Sequence, residues 1–391
     1  MSEPGAPRPL RVFIVAGEHS GDHLGADLLA ALRERVPDLV VAGIGGDAMA
    51  RQGLVPLFPL SDIAVMGIVP VLARLPDLLR RIRQVADAAV AARPDVLVIV
   101  DSPDFTHRVA RRVRALAPAI PIVDYVSPTV WAWRPGRAPA MRAYVDHLLA
   151  LLPFEPEAHR RLGGPPCTYV GHPLIERLSS LRPGPDERLA RQRPTLLVLP
   201  GSRRSEIRRL TAVFGAAVAR VARSVPELDV VLPAVADLAD DIRARVADWP
   251  VAPRVVTGEA AKLAAFRGAR AALAASGTVT LELALAGVPM AVAYRVSPFE
   301  TWLRFVVTVP SIVLPNLILG ENAIPEFLQQ ACTAEALSAA LVPLLGDTPE
   351  RAAQCAAFAR LDAAMRIAPG STPSAEAASR VLAAARDGSR P

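Results

Sequence analysis

Five short apolar runs with no polar alternation punctuate the first half of the chain, at Leu10 to Ala16, Leu39 to Ile44, Val96 to Val100, Pro121 to Val126 and Leu148 to Leu152. Between them lie Ala/Arg/Leu segments whose apolar positions recur at helical spacing. A strand with one wet face alternates polar and apolar residues; these runs do not, so both faces are buried, as in a parallel sheet covered by helices. The second half repeats the scheme at Leu196 to Leu199, Leu228 to Leu232, Arg254 to Val256, Ala271 to Ala274 and Pro289 to Ala293. The pattern predicts an α/β protein of two doubly wound, Rossmann-like domains, 1–178 and 195–365, with an Ala-rich helical tail, 366–391, able to pack on either. The polar stretch Ser179 to Pro194, rich in proline and arginine, reads as a linker or boundary loop.

Composition narrows the partners. The chain has 391 residues, 52% of them hydrophobic, ample for two packed interiors. Lys+Arg 44 against Asp+Glu 38 gives +6, which favours nucleotides, anionic lipid or nucleic acid. No basic stretch is interleaved with aromatic residues, so nucleic acid is not expected. Cys167, Cys332 and Cys355 are far apart and form no C-x-x-C pair, which fits a reducing compartment and neither a disulfide framework nor a zinc site. The N-terminal MSEPGAPRPLR lacks a signal-peptide core. The longest uncharged run, Phe305 to Gly320, is broken by Pro310, Pro315 and Asn316 and falls short of the ~20 residues a bilayer requires. A cytoplasmic protein without a transmembrane helix is expected.

Ligands of doubly wound sheets bind beyond the carboxyl ends of the strands, so the chemistry is sought there. In AGEHSGDHLGADLL, Gly17, Gly21 and Gly25 are spaced four apart and do not match the dinucleotide fingerprint. A tight turn with Ser20 or Asp22 as helix cap is the plain alternative to a ligand site. In VIVDSPDF, Asp101 ends a strand and is a candidate general base, while Asp104 is the more natural cap. In DYVSPTVWAWRPGRA, Trp131 and Trp133 stand beside Arg134 and Arg137. They either fill a core or offer apolar faces and charge to sugar and phosphate.

In LVLPGSRRSEIRRL a strand passes through Gly201 and Ser202 into a helix that opens with Arg203 and Arg204. Cations are disfavoured at a helix N-terminus unless an anion sits there, and phosphate is the commonest such anion. A solvated helix face is the alternative. In SGTVTLELALAGVP, the amides of Ser276, Gly277 and Thr278 suit phosphate, and Glu282 suits both hydroxyls of a ribose. Together these form a nucleoside-diphosphate pocket. No acidic cluster or D-x-D motif stands at a phosphate-facing strand end, so neither metal nor cofactor is expected; the charge of Arg203 takes the place of a divalent ion.

One further segment is amphipathic. Ile63, Met66, Ile68, Val69 and Leu72 form an apolar front followed by Arg74, Arg80, Arg81 and Arg83. It reads either as a core helix or as a surface that dips into a lipid headgroup layer.

The motifs AGExSGDxxGA, the MG of SDIAVMGIVPVL, DSPDF, YVSPxVWAWRxxR, LPFE, GHP, LPGSR, SGTxxLE and LPNLILG with PEFLQ occur in order between about residues 10 and 332. In this the chain resembles the lipid-A-disaccharide synthases, glycosyltransferases of GT-B architecture with two Rossmann-like domains facing a central cleft. The resemblance implies inverting transfer from UDP-2,3-diacylglucosamine to 2,3-diacylglucosamine 1-phosphate, with release of UDP. It implies a peripheral enzyme on the cytoplasmic leaflet of a Gram-negative inner membrane and leaves a homodimer open. It puts the family's essential aspartate at Asp101, its phosphate-facing arginine at Arg203 and the glycine-loop serine at Ser20, beside Gly21. Asn316, Glu326 and Gln329 fall in its C-terminal segment and go with the donor site. His19 and His23 depart from the family, which often has a small uncharged residue at the first position and a large apolar one at the second; neither is assigned to catalysis. Two alternatives remain: a UDP-sugar 2-epimerase of related fold, and a non-catalytic nucleotide-binding module.

Overall fold

All ten apolar runs form strands. The first five are β1 (Arg11–Ala16), β2 (Val40–Ile44), β3 (Val96–Val100), β4 (Ile122–Tyr125) and β5 (His147–Ala150), joined by the three-residue edge strand β6 (Cys167–Tyr169). They make one parallel sheet in the order β2-β1-β3-β4-β5-β6. The other sheet contains β7 (Thr195–Leu199), β8 (Asp229–Ala234), β9 (Arg254–Thr257), β10 (Ala271–Ala275), β11 (Met290–Tyr294) and the edge strand β12 (Glu326–Leu328), ordered β12-β11-β10-β7-β8-β9 and again parallel. The computed structural model describes residues 9–63, 75–296 and 309–388. It divides into one unit of Met1–Pro173 with Ile367–Pro391 and a second of Leu174–Arg366.

The missing alternation in the strands is explained by their two covered faces. Val12, Ile14 and Ala16 pack with Leu28, Leu29 and Leu32 of the helix His19–Arg35 and with Val381 and Leu382 of the last helix, Pro373–Arg386. Phe13 and Val15 face the opposite way, onto Ile82 and Val85 of the helix Leu75–Ala92 and Val109 and Val113 of Pro103–Leu116. The C-terminal tail is therefore part of the first unit's core.

The stretch expected to be a linker is folded into the second unit. It forms the short helices Leu178–Leu181 and Pro185–Ala190. Its Arg191 donates to four carbonyls at 2.8–3.0 Å, those of Phe266 and Arg267 at the end of one helix and of Ala286 and Gly287 just past another. The charge that suggested solvent instead meets the negative ends of two helix dipoles. Burial pulls the Arg191 pKa down to about 10.

Strand order fixes where ligands can sit. In the first sheet the chain reverses direction between β1 and β3, and in the second between β7 and β10. Such switch points open a crevice at the carboxyl ends of the two strands. Ala16 pairs with Val100, and Leu199 with Ala274, so the two strands end level in the first sheet and within one residue of each other in the second. Among the described residues no helix is long and apolar enough to cross a membrane.

Candidate active site

At the first switch point β1 delivers Gly17 to Ser20, and β3 delivers Asp101. Asp101 and Ser102 both have left-handed backbones, φ 55° and 46°. Non-glycine residues rarely adopt this conformation unless their surroundings hold them, and such strain gathers at functional sites. Here the backbone N–H of Asp101 donates to the Tyr125 carbonyl at 3.1 Å, and Thr106 Oγ1 donates to the Asp101 carbonyl at 2.7 Å. The carboxylate is anchored as well: Ser20 Oγ donates to Oδ2 at 2.9 Å and the Ser102 N–H to Oδ1 at 2.7 Å. Any side chain at Gly17 would collide with Ser102, since its Cβ would stand 2.3 Å from the Ser102 Cβ; a Cβ at Gly21 would likewise come within 3.1 Å of the Val100 carbonyl oxygen. Gly17 and Gly21 thus serve the close approach of the first helix to the end of β3, whereas Gly25 makes room for Met49.

Two expected helix caps are corrected. Asp22 does not cap its own helix; it accepts from the N–H groups of Gly46, Ala48 and Met49, at 2.7–3.0 Å, and so fixes the start of the helix Asp47–Arg51. Asp104 caps nothing: Ser102 is the N-cap residue of its helix, and the exposed Asp104 carboxylate pairs with Arg137 at 2.8 Å.

Beside Asp101 lies a cavity of about 690 Å³. Its wall is largely apolar, from Ile63, Leu75, Leu78, Leu79, Ile82 and Phe105, with Glu18, His19, Asp104 and Arg108 also lining it, and Ser20 and Ser102, the two donors to Asp101, stand at it. Ile63, expected at a membrane surface, is 6% exposed and belongs to the core. Arg81 stacks 4.2 Å over the Phe58 ring and pairs with Asp62, so it too is held by protein. Arg80 is exposed, 3.4 Å from Asp77. Met66, Ile68, Val69, Leu72 and Arg74 lie outside the described residues.

The tryptophan loop follows β4. Trp131 Nε1 donates to Glu155 Oε1 at 3.1 Å, and its ring meets Phe154 edge-on at 5.1 Å. Trp133 is half-exposed, with Arg134 stacked 4.1 Å over it. Glu155 also accepts from the Leu152 N–H at 2.9 Å, and burial pushes its pKa up to about 7. Nearby His159 Nε2 is 2.8 Å from Ser127 Oγ, and burial holds this histidine down at about 4. Behind Asp101 a second buried pair, His107 Nε2 and Asp124 Oδ2, lies at 3.1 Å. Sequence reading missed Glu155, although the LPFE motif contains it.

At the second switch point a cavity of about 550 Å³ collects Gly201, Ser202, Arg203, Ser276, Gly277, Thr278 and Glu282, as expected. It also collects Glu206, Glu259 and Lys262, which the sequence did not signal. Three helices begin at this cavity, at Arg204, Glu259 and Val279, and helix starts favour anions. One detail differs from expectation. Glu206 folds back over Gly201 (φ 112°) and accepts from the N–H groups of Ser202 and Arg203 at 3.2 and 3.3 Å and from Arg203 Nη1 at 2.9 Å. An internal carboxylate therefore already uses part of the basic turn. The Ser276 hydroxyl is committed to the Ile312 carbonyl at 2.7 Å, which leaves the turn's amides for a ligand.

Asn316, Glu326 and Gln329 do not line this cavity. Asn316 closes its own loop through both the N–H and the carbonyl of Ile324, each at 2.9 Å. Glu326 accepts from Ser311, from Asn316 at 2.9 Å and from the Ile312 N–H at 3.0 Å. Gln329 accepts from the Val296 N–H at 3.2 Å. They stand one layer back, where Glu326 fixes Ile312, to which Ser276 is bonded.

Comparison with known proteins agrees with this geometry. The family model Lipid-A-disaccharide synthetase matches residues 12–371. The lipid-A-disaccharide synthase of Nitrobacter hamburgensis is 59% identical over 376 residues, 95% of each chain; that of Bradyrhizobium diazoefficiens is 56% identical over 384 residues, 97% of this chain and 98% of the other; that of Rhodospirillum centenum is 46% identical over 355 residues, 89% and 88%. Among solved structures, UDP-GlcNAc 2-epimerase from Neisseria meningitidis bound to UDP-GlcNAc aligns with a TM-score of 0.63 at 12% identity, covering 97% of this chain and all of that one. Acinetobacter baumannii MurG aligns at 0.58 and 14%, covering 96% and 100%. At such identities the epimerase likeness is one of fold alone. The extent and level of the sequence matches place this chain in the lipid-A-disaccharide synthase family of glycosyltransferases.

Proposed function

We propose that the protein joins UDP-2,3-diacylglucosamine to 2,3-diacylglucosamine 1-phosphate, giving the β-linked disaccharide 1-phosphate and UDP. The second unit holds the nucleotide: diphosphate at Arg203 and at the amides of Ser276 to Thr278, ribose at Glu282. The first unit supplies Asp101, which accepts the proton of the acceptor's 6-hydroxyl as that oxygen attacks the anomeric carbon. The bond from that carbon to the diphosphate breaks with inversion, and the electron pair leaves on UDP, where Arg203 and the helix starts meet the growing charge. The scheme uses no divalent ion, since positive charge is already present at the leaving group.

The observation that carries this reading is the anchored Asp101 carboxylate beside a largely apolar cavity, whose wall includes both of its hydrogen-bond donors. A 2-epimerase has no use for an acyl-sized apolar surface, and a nucleotide-binding module has none for a strained aspartate. Incubation with the diacylated UDP-sugar, with and without the diacyl monosaccharide phosphate, tests it: UDP must appear only with the acceptor. We further propose peripheral association with an anionic membrane surface, supported by the partly exposed Leu75 and Leu79 beside the exposed Arg80. Salt-reversible sedimentation with anionic vesicles, reduced by Leu79→Ser, is the outcome expected.

A further inference from the structure

Lys262 is the single lysine in a chain with 44 basic Lys and Arg residues. It stands in the first turn of the helix Glu259–Gly268 and lines the nucleotide cavity. Its Nζ is 2.7 Å from Glu282 Oε2 and 3.8 Å from Glu259 Oε2, and it sits 5.4 Å from the centroid of the Phe266 ring. The Glu282 side chain is 13% exposed, and among the described residues its Oε1 has no hydrogen-bond partner.

The choice of cation matters here. A guanidinium is a planar fork that takes both oxygens of a carboxylate at once, whereas an ammonium is a compact charge that can hold one. Everywhere else this chain uses arginine for permanent positive charge. At Glu282 alone among its basic sites it uses the group that leaves the second oxygen open. Glu282 lines a cavity in which a carboxylate without a cation would repel a diphosphate.

We propose that Lys262 sets the sugar selectivity of the nucleotide site: it offsets the charge of Glu282, grips it through Oε2 only, and so leaves Oε1 to accept the 2′-hydroxyl of a ribonucleoside diphosphate. The proposal rests on the nucleotide reading above. Lys262 is a positioning residue, acting on the nucleotide through Glu282.

Calorimetric titration of the full chain with UDP and with 2′-deoxy-UDP tests it. The wild type prefers UDP by at least about tenfold, the value of a hydrogen bond to a charged acceptor. Lys262→Arg keeps the charge, so it binds 2′-deoxy-UDP as the wild type does, but the fork occupies Oε1 and the preference falls to near one. Lys262→Met weakens both ligands. A wild-type preference near one, or a folded Lys262→Arg protein with the wild-type preference, overturns the proposal and leaves the nucleotide reading standing. No binding of UDP by the wild type overturns the nucleotide reading itself. A measurement on the unaltered protein guards against misfolded variants: an amine-acylating reagent can modify only Lys262 and the chain terminus, and saturating UDP must slow the modification of Lys262. Unchanged labelling in the presence of bound UDP overturns the proposal.

Discussion

Ser20 Oγ donates to Asp101 Oδ2 at 2.9 Å, joining residues 81 positions apart in sequence. The contact exists because β1 and β3 are neighbours and end level, so the first turn after one strand meets the last side chain of the other. With the Ser102 N–H on Oδ1, the carboxylate has one donor on each oxygen and lone pairs left over. A base fixed in this way needs no reorganisation before it receives a proton.

Replacing Asp101 by the nearly isosteric asparagine can keep the Ser102 N–H on the amide oxygen and lets the Ser20 hydroxyl turn to accept from the amide N–H, but removes the base. Turnover is expected to fall by at least about a hundredfold, with UDP affinity and melting temperature close to wild type. Asp104→Asn serves as the control. It loses an exposed pair with Arg137, worth about 0–1 kcal/mol, and should retain most activity. Steady-state kinetics on the two folded variants decides between a base and a structural carboxylate; near-wild-type turnover in Asp101→Asn would remove the assignment.

Arg203 lines the cavity proposed for the nucleotide, and Arg209, six residues further on, does not. Arg203→Ala should weaken UDP binding by roughly tenfold to a hundredfold, as for a lost hydrogen bond to a charged group, and Arg209→Ala should change it little. Calorimetry with UDP checks both. Equal small effects would return the arginine run to a solvated helix face.

Much of this was legible in sequence, and the exceptions share a cause. Ten of the twelve described strands announced themselves as apolar runs without polar alternation, most of them because both faces are buried; β9, exposed at Arg254 and Thr257, is the exception. Strands β6 and β12 did not: CTY and EFL are three residues long, part polar and at sheet edges, too short to carry a pattern. Asp101, Arg203 and Glu282 were legible because strand ends and helix starts are local features. Glu206, Lys262 and Glu155 act through partners whose approach depends on the fold, and a lysine four residues into an Ala-rich helix looks like any solvated charge. The same blindness produced the linker: a polar stretch looks wet until the carbonyls that satisfy it are seen.

Arg191 offers the corresponding stability test. Arg191→Met keeps much of the aliphatic stem but strands four carbonyls at the ends of two helices. Leaving buried acceptors unsatisfied costs about 1–3 kcal/mol each before relaxation and water penetration, so a loss of several kcal/mol is expected. Denaturant unfolding followed by hydrogen exchange should show it concentrated in the helices Glu259–Gly268 and Val279–Leu285. A variant as stable as the wild type would mean that water reaches those carbonyls and that the stretch behaves as a surface loop.

The buried pair beneath the tryptophan loop should reveal itself only when one member is removed. Glu155 rises by burial from 4.5 to about 7, so the folded protein holds a proton that the unfolded chain has lost, and stability declines as pH climbs from 4.5 to 7. His159 falls by burial from 6.5 to about 4, so the unfolded chain gains a proton that the folded protein refuses, and stability declines as pH drops from 6.5 to 4. Between about pH 4.5 and 6.5 the two slopes oppose each other, one proton against one, and nearly cancel. In Glu155→Gln only the histidine slope remains, so the variant's stability relative to wild type should rise with pH across this window. His159→Phe leaves only the glutamate slope, and its relative stability should fall. Each divergence is on the order of 3 kcal/mol at most. Unfolding free energies of the three proteins at half-unit pH steps measure the effect; parallel curves would show that neither group titrates in the folded protein as its burial dictates.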